Sequence, residues 1–184
     1  MKKLLFIAAI SLGLVASTSA QENGFGVRAG LNIASATGDD VDDVDGLMGF
    51  HVGGFATVMI GDAFAVQPEL LYSTKGTEDL TFSYIDIPVL AKYYFTENIS
   101  ALAGPQIGLL MSADNDGTDA KDFYKSMDLA FAIGGEYALD MGLSFGVRYT
   151  SSLGSVAEDF EFAGTTTEFD VKNSVVQIAL GYKF

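Results

Sequence analysis

The chain has 184 residues, with 10 Lys and Arg against 24 Asp and Glu, a formal charge of −14, one His, no Cys and no Trp. So acidic a chain lacks the basic patch that replaces counterions on phosphate, which excludes nucleic acid as a partner. Without Cys there are no disulfide frameworks, thiolate metal sites or cysteine nucleophiles, and a lone His argues against imidazole-bound metals.

Met1-Lys2-Lys3 is a positively charged start. An apolar run from Leu4 to Ala16 follows, and then the small residues Ser17-Thr18-Ser19-Ala20. These are the three parts of a secretory signal peptide, expected to be cut after Ala20. The run of about 13 apolar residues is too short to cross a bilayer of about 30 Å as a helix, so it is not read as an anchor. The expected organisation is therefore a removed segment, 1–20, and one domain, 21–184.

From residue 25 onward the apolar residues recur with a period of two. Phe25, Val27, Ala29, Leu31 and Ile33 oppose Gly26, Arg28, Gly30, Asn32 and Ala34. The same alternation returns over 50–60, 64–73, 84–95, 99–111, 128–137, 143–150 and 175–184. Eight strands of about ten residues result, the length a tilted strand needs to cross a bilayer. Their connections alternate. Gly61-Asp62-Ala63, Thr96-Glu97-Asn98 and Leu139-Asp140-Met141-Gly142 are tight, whereas Ser35–Gly46, Gly76–Ser83, Ser112–Ser126 and Gly154–Lys172 are long and polar. Short turns at one end and long loops at the other predict an all-β fold: an eight-stranded antiparallel up-and-down transmembrane β-barrel, turns in the periplasm and loops outside.

The alternative is a soluble barrel with its apolar face inward and a charged face in water. Composition of the second face decides against it. That face carries Gly26, Gly30, Gly53, Gly104, Gly108, Gly134, Gly146 and Gly181, small residues suited to a crowded interior rather than a wetted exterior. The apolar face is aromatic at both ends, with Phe25, Phe64, Tyr93, Phe95, Tyr137, Tyr182 and Phe184 toward the short turns and Phe50, Tyr72 and Tyr149 toward the loops. Aromatic girdles around an aliphatic belt belong to a membrane barrel, whose closure satisfies every backbone group in lipid.

Inward parity then collects a near-balanced set of charges: Arg28, Lys75, Lys92, Arg148 and Lys183 with Glu69, Asp86, Asp128 and Glu136. Pairing between neighbouring strands suggests Lys75 with Asp86, Glu69 with Lys92, and Glu136 with Arg148. A barrel of eight strands is just wide enough to be filled by its own side chains, so this network reads as a polar plug, with a gated ion path as the alternative.

Tyr84-Ile85-Asp86-Ile87-Pro88-Val89-Leu90-Ala91-Lys92-Tyr93-Tyr94-Phe95 resembles the fourth strand of the PorT-like outer-membrane β-barrel family common in Bacteroidetes. The likeness extends to Gly26-Val27-Arg28-Ala29-Gly30-Leu31-Asn32, to Val66-Gln67-Pro68-Glu69-Leu70-Leu71-Tyr72-Ser73 with Lys75-Gly76, and to Leu180-Gly181-Tyr182-Lys183-Phe184. The resemblance implies an eight-stranded barrel in the bacterial outer membrane, surrounded by its lipid. It also implies that the C-terminal end, with Tyr182 and Phe184, is the signal read by the barrel-assembly machinery during insertion. It implies no specific activity.

Catalysis of the Ser-His-Asp kind would have to use His51, the only imidazole, and an inward polar residue in such a barrel reads more simply as part of the packed network. No enzyme activity and no cofactor is expected. The loops hold most of the acid: Asp39, Asp40, Asp42, Asp43 and Asp45; Asp114, Asp116, Asp119 and Asp122; Glu158, Asp159, Glu161, Glu168 and Asp170. Clustered carboxylates can take divalent cations weakly. The run Asp114-Asn115-Asp116-Gly117-Thr118-Asp119 nevertheless lacks the sixth-position Gly and twelfth-position Glu of an EF-hand, where Asp119 and Lys125 stand. The expected function is a non-enzymatic structural or surface-interaction barrel. The alternatives are a narrow pore for ions or small solutes, or an accessory subunit bound to an envelope or secretion partner.

Overall fold

A computed structural model describes residues 23–37, 48–76, 80–115, 117–156, 160–162, 165–167 and 172–184. The expected signal peptide and most of the loop acids lie outside the described residues.

Eight strands form the wall: β1 (Gly24–Thr37), β2 (Met48–Met59), β3 (Phe64–Gly76), β4 (Leu80–Tyr94), β5 (Ile99–Asn115), β7 (Met127–Ala138), β8 (Leu143–Ser152) and β11 (Lys172–Lys183). Each pairs with its neighbours in the chain, and β1 closes on β11 in antiparallel register, Gly26 opposite Lys183 through Thr37 opposite Lys172. Closure leaves no edge among the eight wall strands, the condition for a sheet in lipid. Short elements decorate the loop end: β6 (Thr118–Asp119), a 3₁₀ turn at Lys121–Phe123, and the hairpin β9 (Phe160–Phe162) and β10 (Thr165–Thr167).

The usual inside-out order of a soluble domain is reversed. Leu31, Ile33, Val147, Ile178 and Leu180 stand exposed on the outer face, while Asn32, His51, Gln67, Ser73 and Asp86 are among the most buried side chains. The two aromatic girdles form as expected. Phe64 packs tilted against Tyr93 at 4.8 Å, Tyr93 meets Phe95 edge-on at 5.0 Å, and Phe50 packs tilted against Tyr72 at 5.9 Å.

The strands run further toward the loop end than their apolar alternation does. The segment Gly76–Ser83, expected as a loop, is mostly ladder. Lys75 pairs with Phe82 and Gly76 with Thr81, and β4 is already strand from Leu80. Beyond the lipid the outward positions need not be apolar, so alternation fades while pairing continues. The loop expected at Ser112–Ser126 likewise begins as strand. A bulge sets Ser83 opposite Ser112 but Tyr84 opposite Leu110, so Met111 and Ser112 both face outward and Ala113 returns to the interior. The tight turn at Leu139–Gly142 needs its glycine. Gly142 has φ +89°, and a Cβ there would lie 2.5 Å from the Lys183 carbonyl oxygen.

Candidate functional site

Small inward residues let large polar ones meet across the barrel. A Cβ on Gly26 would lie 2.2 Å from Cζ of Phe55, the inward aromatic over which the Arg28 guanidinium sits at 5.4 Å. A Cβ on Gly30 would lie 2.6 Å from Cε1 of His51. The interior so filled divides into layers along the barrel axis.

The inner layer holds Arg28, Lys92 and Arg148 against Glu69 and Glu136, all buried. Glu69 Oε1 accepts from Arg28 Nη1 at 2.7 Å, from Arg148 Nη2 at 2.8 Å and from Gln67 Nε2 at 2.7 Å, and its Oε2 accepts from Arg148 Nη1 at 3.0 Å. Glu136 accepts from Arg28 Nη2 and from Lys92 Nζ. Two expected pairs are therefore corrected. Glu69 bonds arginines rather than Lys92, and Glu136 bonds Arg28 and Lys92 rather than Arg148. Register is the reason. Lys92 lies opposite Ala65, four residues along β3 from Glu69, and Arg148 lies opposite Gly134, so the long side chains reach across the lumen instead of to the next strand.

Above this layer, His51 Nδ1 and Gln177 Nε2 both meet Asn32 Oδ1, at 2.8 and 3.0 Å, and Asn32 Nδ2 donates to Ser73 Oγ at 2.9 Å. Beside Arg28, His51, Arg148 and Gln177 the packing leaves a void of about 10 Å³, room for one water.

The outer layer holds the expected pair, Lys75 Nζ to Asp86 Oδ1 at 3.3 Å, and adds Asp128 Oδ2 at 3.8 Å. Asn173 Nδ2 donates to Asp128 Oδ2 at 3.5 Å, and Lys75 stands 4.2 Å from the Tyr84 ring centre. An apolar cluster of Phe82, Leu110, Ala113 and Ala120, with Tyr124 edge-on against Phe82 at 4.7 Å, forms a partial roof over the loop ends of β4 and β5. Burial raises the pKa of the Tyr124 phenol. The short-turn end instead opens into a vestibule of about 530 Å³, whose floor includes Lys92 and Glu136 and whose rim includes the half-buried Lys183.

Tyr182 and Phe184 are outside this network, on the lipid face, with ring centres 5.5 Å apart. Sequence reading by charge alone overlooks Asn32, Gln67, Gln177 and Asn173, neutral residues whose inward parity is the signal that finds them. The loop acids described, such as Asp114, form no metal-ligating group among the described residues. Asp114 Oδ1 accepts from the Gly117 backbone N–H at 2.9 Å, a turn contact.

The family profile described as "Outer membrane protein beta-barrel domain" matches residues 4–184. No curated protein sequence matches the chain. Among solved structures, Ail, the attachment invasion locus protein of Yersinia pestis, aligns at 16% identity over 89% of this chain and 100% of its own, with a TM-score of 0.56. Neisserial surface protein A aligns at 18% identity over 87% and 97%, with a TM-score of 0.59. The outer membrane enzyme PagL aligns at 13% identity over 85% and 98%, with a TM-score of 0.50. At these identities the likeness is one of fold.

Proposed function

The chain belongs to the outer membrane protein β-barrel domain family, and on that footing we propose that it is a non-enzymatic barrel acting through its outer loops, with a lumen plugged against flow. The observation that carries this reading is the filled interior. Two carboxylates and three cations interlock in the inner layer, a void of about 10 Å³ adjoins them, and an apolar cluster packs at the loop ends of β4 and β5. A wall so closed leaves the loops as the part free to vary and to meet partners. His51 supports the absence of catalysis, being 1% exposed and bonded to an amide inside the packed network. Fold likeness to an enzyme such as PagL carries no chemistry by itself.

The finer assignments belong to the same reading. The motifs at 26–32, 66–76, 84–95 and 180–184 support a PorT-like member, exported by a signal peptide cleaved after Ala20 and inserted through a C-terminal signal that includes Tyr182 and Phe184. A pore is the second reading, favoured by the vestibule of about 530 Å³ at the short-turn end. An accessory role beside an envelope partner rests on the family likeness alone.

The test is complementation. In a strain lacking the protein, envelope sensitivity to bile salt is compared after return of the intact chain or of a chain with residues 155–171 replaced by a four-residue turn. The reading expects the shortened chain to insert and shift on heating yet fail to complement. Full complementation by the shortened barrel would move the function into the wall or lumen.

A further inference from the structure

Among the described residues the buried charges balance over the lumen but not within its layers. The inner layer sets three cations against two carboxylates, whereas the outer sets one ammonium, Lys75, against two carboxylates, Asp86 and Asp128. Both aspartates are inward and buried, and both lie within 4 Å of the same Nζ. Gly108 brings them together, because it is directly opposite Asp86 on β4 and Asp128 on β7. A Cβ there would lie 2.9 Å from Asp86 Oδ1 and 3.5 Å from Asp128 Cβ.

A second observation concerns the Tyr84 hydroxyl. Tyr84 is 0% exposed and its hydroxyl makes no hydrogen bond of ordinary geometry, although the Asn173 side chain is beside it and both aspartates act on it electrostatically. A buried carboxylate in excess of its counter-charge, with the Tyr84 hydroxyl close enough to feel both aspartates, is costly unless a positive, oxygen-seeking group sits beside them.

We infer that the outer layer is a binding site for one small monovalent cation of the Na⁺ type, held by Asp86, Asp128 and the Tyr84 hydroxyl. The excess charge of the layer is one, and the resident ammonium at 3.3 Å from Asp86 repels a divalent ion. Hard oxygen donors suit alkali cations, and the dry surroundings strengthen the attraction. The cation neutralises the outer layer and ties β4 to β7 across β5 at the loop end.

The inference rests on the closed lumen, which is read separately by conductance. Its own test is the thermal unfolding of the refolded full chain in uncharged detergent at fixed ionic strength, in NaCl or in choline chloride, at pH 8. Binding to the folded state alone raises the midpoint in Na⁺ by roughly 3 °C or more over choline, a cation too large for the site. Asp128→Asn, which leaves one carboxylate for one ammonium, removes the difference, and Asp114→Asn keeps it. Where Asp128→Asn fails to fold, Gly108→Ala serves, since its methyl intrudes on Asp86. Equal midpoints in the two salts overturn the inference, as does a salt difference that survives in both Asp128→Asn and Gly108→Ala.

Discussion

The two faces of the barrel wall, one residue apart along each strand, obey different rules. On the outer face Leu31, Val147, Ile178 and Leu180 need only be apolar, because lipid has no shape for them to match. On the inner face each polar group has to find partners. Arg28 is fixed by Glu69 and Glu136 from two other strands, and Glu69 also receives Arg148 and Gln67. Substitutions on the outer face should therefore follow a graded hydropathy rule. Those inside should depend on which partner is left alone.

The largest effect expected is from Glu69→Ala, which leaves two buried guanidinium groups without their shared carboxylate. Urea unfolding of the refolded barrel in lipid vesicles should show a loss of about 3–5 kcal/mol. A loss under 1 kcal/mol would mean that water relieves the inner layer. Next comes Leu31→Arg on the lipid face, with a cost of about 2–4 kcal/mol in the same assay for a site near the bilayer centre. Its chain neighbour tests the other rule. Gly30→Ala adds one methyl at 2.2 Å from the Ile178 carbonyl oxygen and should cost about 1–3 kcal/mol although it is more apolar.

A smaller effect concerns the roof. Burial raises the pKa of the Tyr124 phenol, so its contribution is complete below the ordinary value of 10.0 and fades as pH rises through the higher folded-state value. Cleavage by added protease within residues 117–126 should thus accelerate above pH 10 before the wall itself opens, and Tyr124→Phe should delay that onset. Smallest of all, Asp114→Asn at the exposed loop end of β5 should change stability by less than about 0.5 kcal/mol.

The same asymmetry governs how much of the molecule is legible in its sequence. Parity alone locates the wall, because alternation records which face meets lipid at every strand. It also places Arg28, Glu69, Lys75, Asp86, Lys92, Asp128, Glu136 and Arg148 inside. Parity says nothing of register, however, and partner choice depends on register. Lys92 lies opposite Ala65, so Glu69 turns to Arg28 and Arg148 across the lumen. Strand ends are obscured for a different reason. At Thr74-Lys75-Gly76 the outer positions have left the lipid, so the ladder continues where the apolar signal has stopped. The bulge at Met111 and Ser112 interrupts the period itself, which hides the last turn of β5 and the roof it carries.

The closed lumen is the claim on which the functional reading turns, and ion conductance of the refolded, heat-modifiable protein in planar bilayers tests it most directly. Interlocked charges and an apolar roof predict a silent barrel, including under applied voltage. Stable, discrete openings would contradict the plug and make Lys92, Glu136 and the outer aspartates the lining of a path.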